Sequence, residues 1–130
     1  MCKSLVVDKL MSVLGILAVL GILSAALVMQ FVYGEAPCPL CELQRAALLS
    51  IAIALFMNLR YGNRVAHWAL VILSACAGIA VSIRQILLHL TDPVGFGSAV
   101  LGLHMYTWCF IGFALAVVGA ASMLIIFRQN

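Results

Sequence analysis

Of the 130 residues, 66% are hydrophobic and only 8% are charged, and the formal net charge is +3. Soluble domains carry about 25% charged residues, so a water-soluble fold is excluded: no single core covers that much apolar surface, and a bilayer has to. The small basic excess is dispersed along the chain, which reads as membrane topology and not as a nucleic-acid footprint. A span takes about 20 residues, so four spans with short connections use nearly the whole chain. The expected fold is all-α, a single integral-membrane four-helix bundle over residues 1–130.

The first apolar run, 10–33, follows Met-Cys-Lys-Ser-Leu-Val-Val-Asp-Lys. It is longer than the core of a signal peptide and is not followed by a convincing small-x-small cleavage site, so a retained span is expected. Gly15, Ala18, Gly21, Ser24 and Ala25 would let another helix approach. Gln30 and Tyr33 suit an interface or a cavity wall. Gly34-Glu35-Ala36-Pro37 then breaks the helix.

Cys38-Pro39-Leu40-Cys41-Glu42-Leu43-Gln44-Arg45 comes next and holds the one cysteine pair with redox spacing. Pro39 suits the first helical position, where its missing N–H is not needed. Cys38 is then the N-cap, and Cys41 lies on nearly the same face with the Cα atoms ~5–6 Å apart, within disulfide reach. A helix N-terminus is expected to favour thiolate there. Arg45 sits one turn beyond Cys41 on the same face, and a charge inside a span marks function by default. The bland alternatives are a structural disulfide and an arginine that snorkels to lipid phosphates.

Span two is expected over 42–59, span three over 65–90 and span four over 104–127. Span three ends with Arg84, Gln85 and His89. A loop follows over Thr91–Ser98, and Leu101–His104 is expected as a short interfacial helix or the approach to span four. Four spans put both termini on one side, together with Lys3, Lys9, Arg60, Arg64 and Arg128, five of the seven basic residues. The positive-inside rule makes that side cytoplasmic. Cys38 and Cys41 then face outward, where disulfides persist.

These residues resemble the disulfide bond formation protein B (DsbB) family: Cys-Pro-Leu-Cys-Glu-Leu-Gln-Arg after a first span, Arg84-Gln85 at the end of span three, and Gly-Leu-His-Met-Tyr-Thr-Trp leading into span four. The resemblance implies a multi-pass protein of the bacterial inner membrane with its active site facing the periplasm. It implies a thiol oxidase that takes electrons from a thioredoxin-like (DsbA-like) periplasmic dithiol protein and passes them to a quinone, ubiquinone or menaquinone. Cys38 would take up the mixed disulfide, Cys41 would address the quinone, and Arg45 would polarise a quinone oxygen. A cation one turn below the thiolate is independently well placed to offset negative charge in low dielectric. Arg84, His89 and His104 are further candidate quinone contacts, the histidines as proton donors. The alternative for each histidine is an interfacial, solvated position, and for Arg84 a contact with anionic lipid.

One departure stands out. Family members carry a second cysteine pair between spans three and four, and Asp92–Leu103 has none. Cys76 lies ~21 Å below the outer end of span three and Cys109 ~8 Å into span four at 1.5 Å per residue, too far apart to pair. Both read as packing residues, and Cys2 as a cytoplasmic thiol. A one-pair enzyme is expected, in which Cys38–Cys41 exchanges directly with a partner's thiols or with a separate thiol carrier, and no metal site is expected, since two cysteines supply only half of a zinc set. The alternatives are a vitamin K epoxide reductase-like enzyme, disfavoured by the early position of the pair, and a scaffold or metal-handling protein, disfavoured by scattered methionines.

Overall fold

A computed structural model describes residues 2–36, 38–91 and 99–128. Its elements in chain order are α1 (Cys2–Val32), α2 (Pro39–Tyr61), α3 (Val65–His89), β1 (Ala99–Val100), β2 (Leu103–His104) and α4 (Met105–Arg128). All four helices are long and apolar enough to cross a membrane. Each packs antiparallel on its sequence neighbour, and α1 meets α4 over a smaller area.

The distribution of polarity is that of a membrane protein. Leu73, Leu115, Phe56 and Ile53 point outward, whereas Gln85, Asn58, Asp8, Ser12 and Ser82 are among the most deeply buried side chains. Lipid can cover an apolar exterior, and polar groups must then find partners inside the bundle.

Helix α1 begins at Cys2 and not near residue 10. Asp8 and Lys9 look like a span boundary in the sequence, yet Asp8 is only 2% exposed. The Asn58 amide of α2 donates to both Asp8 carboxylate oxygens, at 3.0 and 3.1 Å, and to Ser12 Oγ at 3.0 Å. Residues 8 and 12 are one turn apart on one face, so this buried link extends the α1–α2 contact to the chain's first turns. Further along the same seam, a Cβ at Gly15 would stand 2.6 Å from Leu55 Cδ1, so the glycine is what admits the leucine.

Helices α2 and α3 are joined by Gly62-Asn63-Arg64, with Gly62 at φ +87°. Trp68 Nε1 donates to Asn63 Oδ1 at 3.2 Å and holds the turn against α3. Between α3 and α4 the decisive contact is Gly78 under Phe113, which is fully buried. A Cβ at Gly78 would lie within 2.6 Å of three ring atoms. Gly78→Ala is therefore expected to cost about 1–3 kcal/mol by overpacking and to lower the thermal midpoint in detergent by several degrees. Gly21→Ala, which meets nothing within 4 Å, is the control and should leave it unchanged or raise it.

Before α4 the chain makes a two-stranded hairpin and no helix. Ala99 pairs with His104 and Val100 with Leu103. Leu101 (φ +54°) and Gly102 (φ +83°) form the turn between them. Two left-handed residues give the twist a two-residue hairpin needs, and a helix over 101–104 is incompatible with them. From Asp92 to Ser98, the expected loop lies outside the described residues.

Candidate active site

The head of α2 is built as its sequence requires. Cys38 caps the helix in an extended conformation (φ −96°, ψ 151°), and Pro39 occupies its first turn. The Glu42 N–H donates to the Cys38 carbonyl at 3.1 Å. The Cys41 N–H donates to Cys38 Sγ at 3.1 Å, so the sulfur takes the place of the oxygen in an ordinary N-cap.

The two thiols open onto different spaces. Cys41 lines a cavity between the four helices with Ile22, Ala26, Met29 and Leu48 on its apolar walls and Gln30, Gln44, Arg45 and Gln85 of α3 among its polar ones. Cys38 lines a separate, more open groove with Pro39, Leu40, Arg84, Leu88 and His89. Arg45 Nη1 donates to Gln30 Oε1 at 2.6 Å and Nη2 approaches the Ala26 carbonyl at 3.5 Å. Its guanidinium is thereby tied to the end of α1 at the cavity wall, which distinguishes it from an arginine extended to lipid phosphates.

The residues expected near a quinone therefore divide. Arg45 shares the cavity with Cys41, while Arg84, an exposed side chain, and His89 border Cys38. His104 lines neither space. It stacks on Tyr106 (centroids 5.2 Å apart, planes at 9°), and the same Tyr106 stacks on His89 at 5.8 Å and 25°. Tyr106 is a cavity wall residue, so the two histidines reach the cavity through it. His89 Nδ1 lies 2.8 Å from the Gln85 carbonyl, one turn back in its own helix.

Two glutamines that the cysteine motif does not single out complete the site. Gln44 Nε2 donates to Ser82 Oγ and to Gln85 Oε1, both at 3.0 Å, linking α2 to α3. Gln85 is 2% exposed, and its own amide nitrogen points at the sulfurs, 3.5 Å from Cys41 Sγ and 3.7 Å from Cys38 Sγ. The signal available was three glutamines (30, 44 and 85) at one end of otherwise apolar spans. Cys109 lines the cavity with Cys41, whereas Cys76 is exposed on the outside of α3.

Burial pushes the Cys38 thiol above its ordinary value. Interaction with the Cys41 thiol acts in the same direction, and the N–H groups of Cys41 and Leu40 pull it down without prevailing. The helix N-terminus alone thus does not make Cys38 a resting thiolate, contrary to the expectation from spacing. Since thiolate is the reactive form, alkylation of reduced Cys38 by iodoacetamide is expected to keep accelerating at pH values where a small free thiol such as glutathione has levelled off. A plateau at or below the pH of glutathione's would show a depressed thiol instead.

The family model described as "Disulfide bond formation protein DsbB" matches residues 8–98. Among curated relatives, Disulfide bond formation protein B of Pseudomonas syringae pv. tomato is 50% identical over 93 residues, covering 67% of this chain and 54% of the relative. Disulfide bond formation protein B 1 of Pseudomonas fluorescens is 41% identical over 97 residues (72% and 56%). Disulfide bond formation protein B of Burkholderia pseudomallei is 38% identical over 93 residues (69% and 55%). The chain spans about half the length of the curated relatives it matches. No solved structure matches it.

Proposed function

The chain belongs to the disulfide bond formation protein B family, and from that premise we propose that it is a membrane thiol oxidase, carrying electrons from a dithiol protein through Cys38 and Cys41 to a quinone. The observation that carries this reading is the division of one cysteine pair between two spaces. Cys38 lines the open groove and Cys41 the cavity beside Arg45. A single disulfide so placed can be attacked by a protein thiolate on one side and discharge to a membrane molecule on the other.

The residues present fit a quinone. Apolar walls from Ile22, Ala26, Met29 and Leu48 suit a ring drawn from lipid, and the Arg45 guanidinium supplies N–H donors at one end. A quinone, when bound, supplies an acceptor for two electrons and two protons. Arg45 holds positive charge at the place where negative charge accumulates, and the low dielectric of the span makes that charge effective. Cys41 presents its sulfur to the same space, and the apolar walls keep water from it.

At Cys38, Arg84 and His89 flank the sulfur and meet the incoming dithiol protein, which is thioredoxin-like in this reading. Tyr106 lines the cavity and stacks on His89, which borders the groove, and on His104. With no cysteine in Asp92–Leu103, Cys38 exchanges directly with the partner's thiols. Five of the seven basic residues lie at the other end of the bundle, so the cysteines face away from the cytoplasm. In a bacterium the chain lies in the inner membrane with the pair toward the periplasm, where a new disulfide survives.

The test is turnover. Purified protein in detergent, mixed with a short-chain quinone and a reduced thioredoxin-like dithiol protein, is expected to consume one quinone per disulfide formed. Oxidation of the dithiol without consumption of quinone would remove the proposal.

A further inference from the structure

We propose that Gln85 is a catalytic residue of the thiol–disulfide exchange: its side-chain amide is the hydrogen-bond donor that carries the negative charge built on both sulfurs. The proposal rests on the reading of Cys38–Cys41 as the redox pair. It adds a residue from α3 to a centre otherwise made by α2, and a role at the sulfurs that Arg45, tied to Gln30 and Ala26, does not fill.

Three observations support it. The first is position. Gln85 Nε2 is 3.5 Å from Cys41 Sγ and 3.7 Å from Cys38 Sγ, so one NH₂ group faces both reacting atoms. The second is orientation. A glutamine amide presents either its nitrogen or its oxygen to a neighbour, and only the nitrogen favours a thiolate. Here Gln85 Oε1 accepts from Gln44 Nε2 at 3.0 Å, and Gln44 Nε2 also donates to Ser82 Oγ at 3.0 Å. That chain turns the Gln85 nitrogen toward the sulfurs and keeps it there. The third is burial. Gln44 and Ser82 are buried along with Gln85, at 4% and 0% exposure, so the donor is held in a low-dielectric setting, where a hydrogen bond to charge is strengthened.

In the exchange, a thiolate of the dithiol partner attacks Cys38 Sγ. A new S–S bond forms, the Cys38–Cys41 bond breaks, and its electron pair goes to Cys41 Sγ, where Gln85 donates. The partner's second thiolate then attacks the partner sulfur of the mixed disulfide. The electron pair of that bond goes to Cys38 Sγ, which Gln85 also faces and to which the Cys41 N–H already donates at 3.1 Å. The partner dithiol loses two electrons and two protons to become a disulfide, and the cysteine pair gains the two electrons and, by exchange with solvent, two protons to become a dithiol. Because burial disfavours a resting thiolate at Cys38, charge on that sulfur is chiefly a feature of the reaction itself, and a fixed donor acts where it develops.

The test uses the full chain in detergent without quinone, measuring reduction of oxidised Cys38–Cys41 by dithiothreitol and the reverse reaction with a small disulfide. Gln85→Met keeps the length of the side chain and loses the donor. It is expected to slow both directions about tenfold, the scale of one hydrogen bond to a charged group, while the equilibrium constant stays within twofold. Gln85→His, which restores an N–H, is expected to recover to within about threefold of the parent. If Gln85→Met does not survive extraction, Gln44→Leu removes the group that orients the amide, and about threefold slowing is expected.

Rates within twofold of the parent in Gln85→Met, or in Gln44→Leu where that variant replaces it, would overturn the proposal. So would Gln85→His as slow as Gln85→Met, or an equilibrium displaced as far as the rates, which is the mark of a structural role. Failure of the underlying reading looks different: the parent's own cysteine pair would then not cycle with dithiothreitol at all.

Discussion

Cys41→Ser is expected to bring quinone-linked dithiol oxidation down to the uncatalysed rate, a loss of about a thousandfold or more, as for removal of a covalent nucleophile. The reason is the cavity. Cys41 is the member of the pair that shares a space with Arg45, and Cys38 opens instead on the groove with Arg84 and His89. A serine at 41 leaves Cys38 able to accept a partner's sulfur but removes the neighbouring thiol that would displace it. The same variant should therefore accumulate a mixed disulfide between Cys38 and the dithiol protein when that protein is offered in oxidised form. Cys38→Ser should be equally inactive and trap far less. Non-reducing electrophoresis with mass determination distinguishes the two. Equal trapping by both variants would mean that the groove and the cavity do not divide the two thiols' work.

Arg45→Ala should have the next largest effect. Arg45 supplies the positive charge beside Cys41, and its two hydrogen bonds join α2 to the end of α1. Removing a preorganised charge-stabilising donor costs on the order of 10²–10³ in rate, so single-turnover reduction of a short-chain quinone by the reduced protein is expected to fall by about a hundredfold. Exchange between the cysteine pair and dithiothreitol should fall much less, because Gln85 and not Arg45 faces the sulfurs. Arg45→Lys keeps the charge without the planar fork and should recover only part of the loss. Equal losses in both half-reactions would place Arg45 in the scaffold of the site and not beside the acceptor.

The main lines of this molecule are legible in the sequence because the bilayer imposes them. Four apolar runs, a helix-breaking Gly34-Glu35-Ala36-Pro37 and a Cys-x-x-Cys with an arginine one turn below are local patterns, and local periodicity fixes which residues share a face. What escaped depends on how helices meet. Asp8 looks like the end of a span until Asn58 of α2 is seen against it. Gln44 and Gln85 are 41 positions apart, and nothing in either neighbourhood says that their amides meet under the two sulfurs. The hairpin at Leu101-Gly102 escaped for another reason: a leucine at φ +54° is a conformation that its residue type argues against. The thiol of Cys38 follows the same lesson. Its N-cap position argues for thiolate, and the burial that outweighs it comes from the tertiary structure.

In the proposed reaction two electrons leave Cys41 for a quinone as Cys38 and Cys41 join. Reduced protein, freed of small thiols and held without oxygen, should be mixed with one equivalent of a short-chain quinone, quenched with an alkylating reagent and mapped by mass spectrometry. One quinone is expected to be reduced for each Cys38–Cys41 disulfide formed, with Cys2 and Cys76 still alkylated. Quinone reduced while Cys38 and Cys41 both remain alkylated, or a disulfide formed with the quinone untouched, would contradict it.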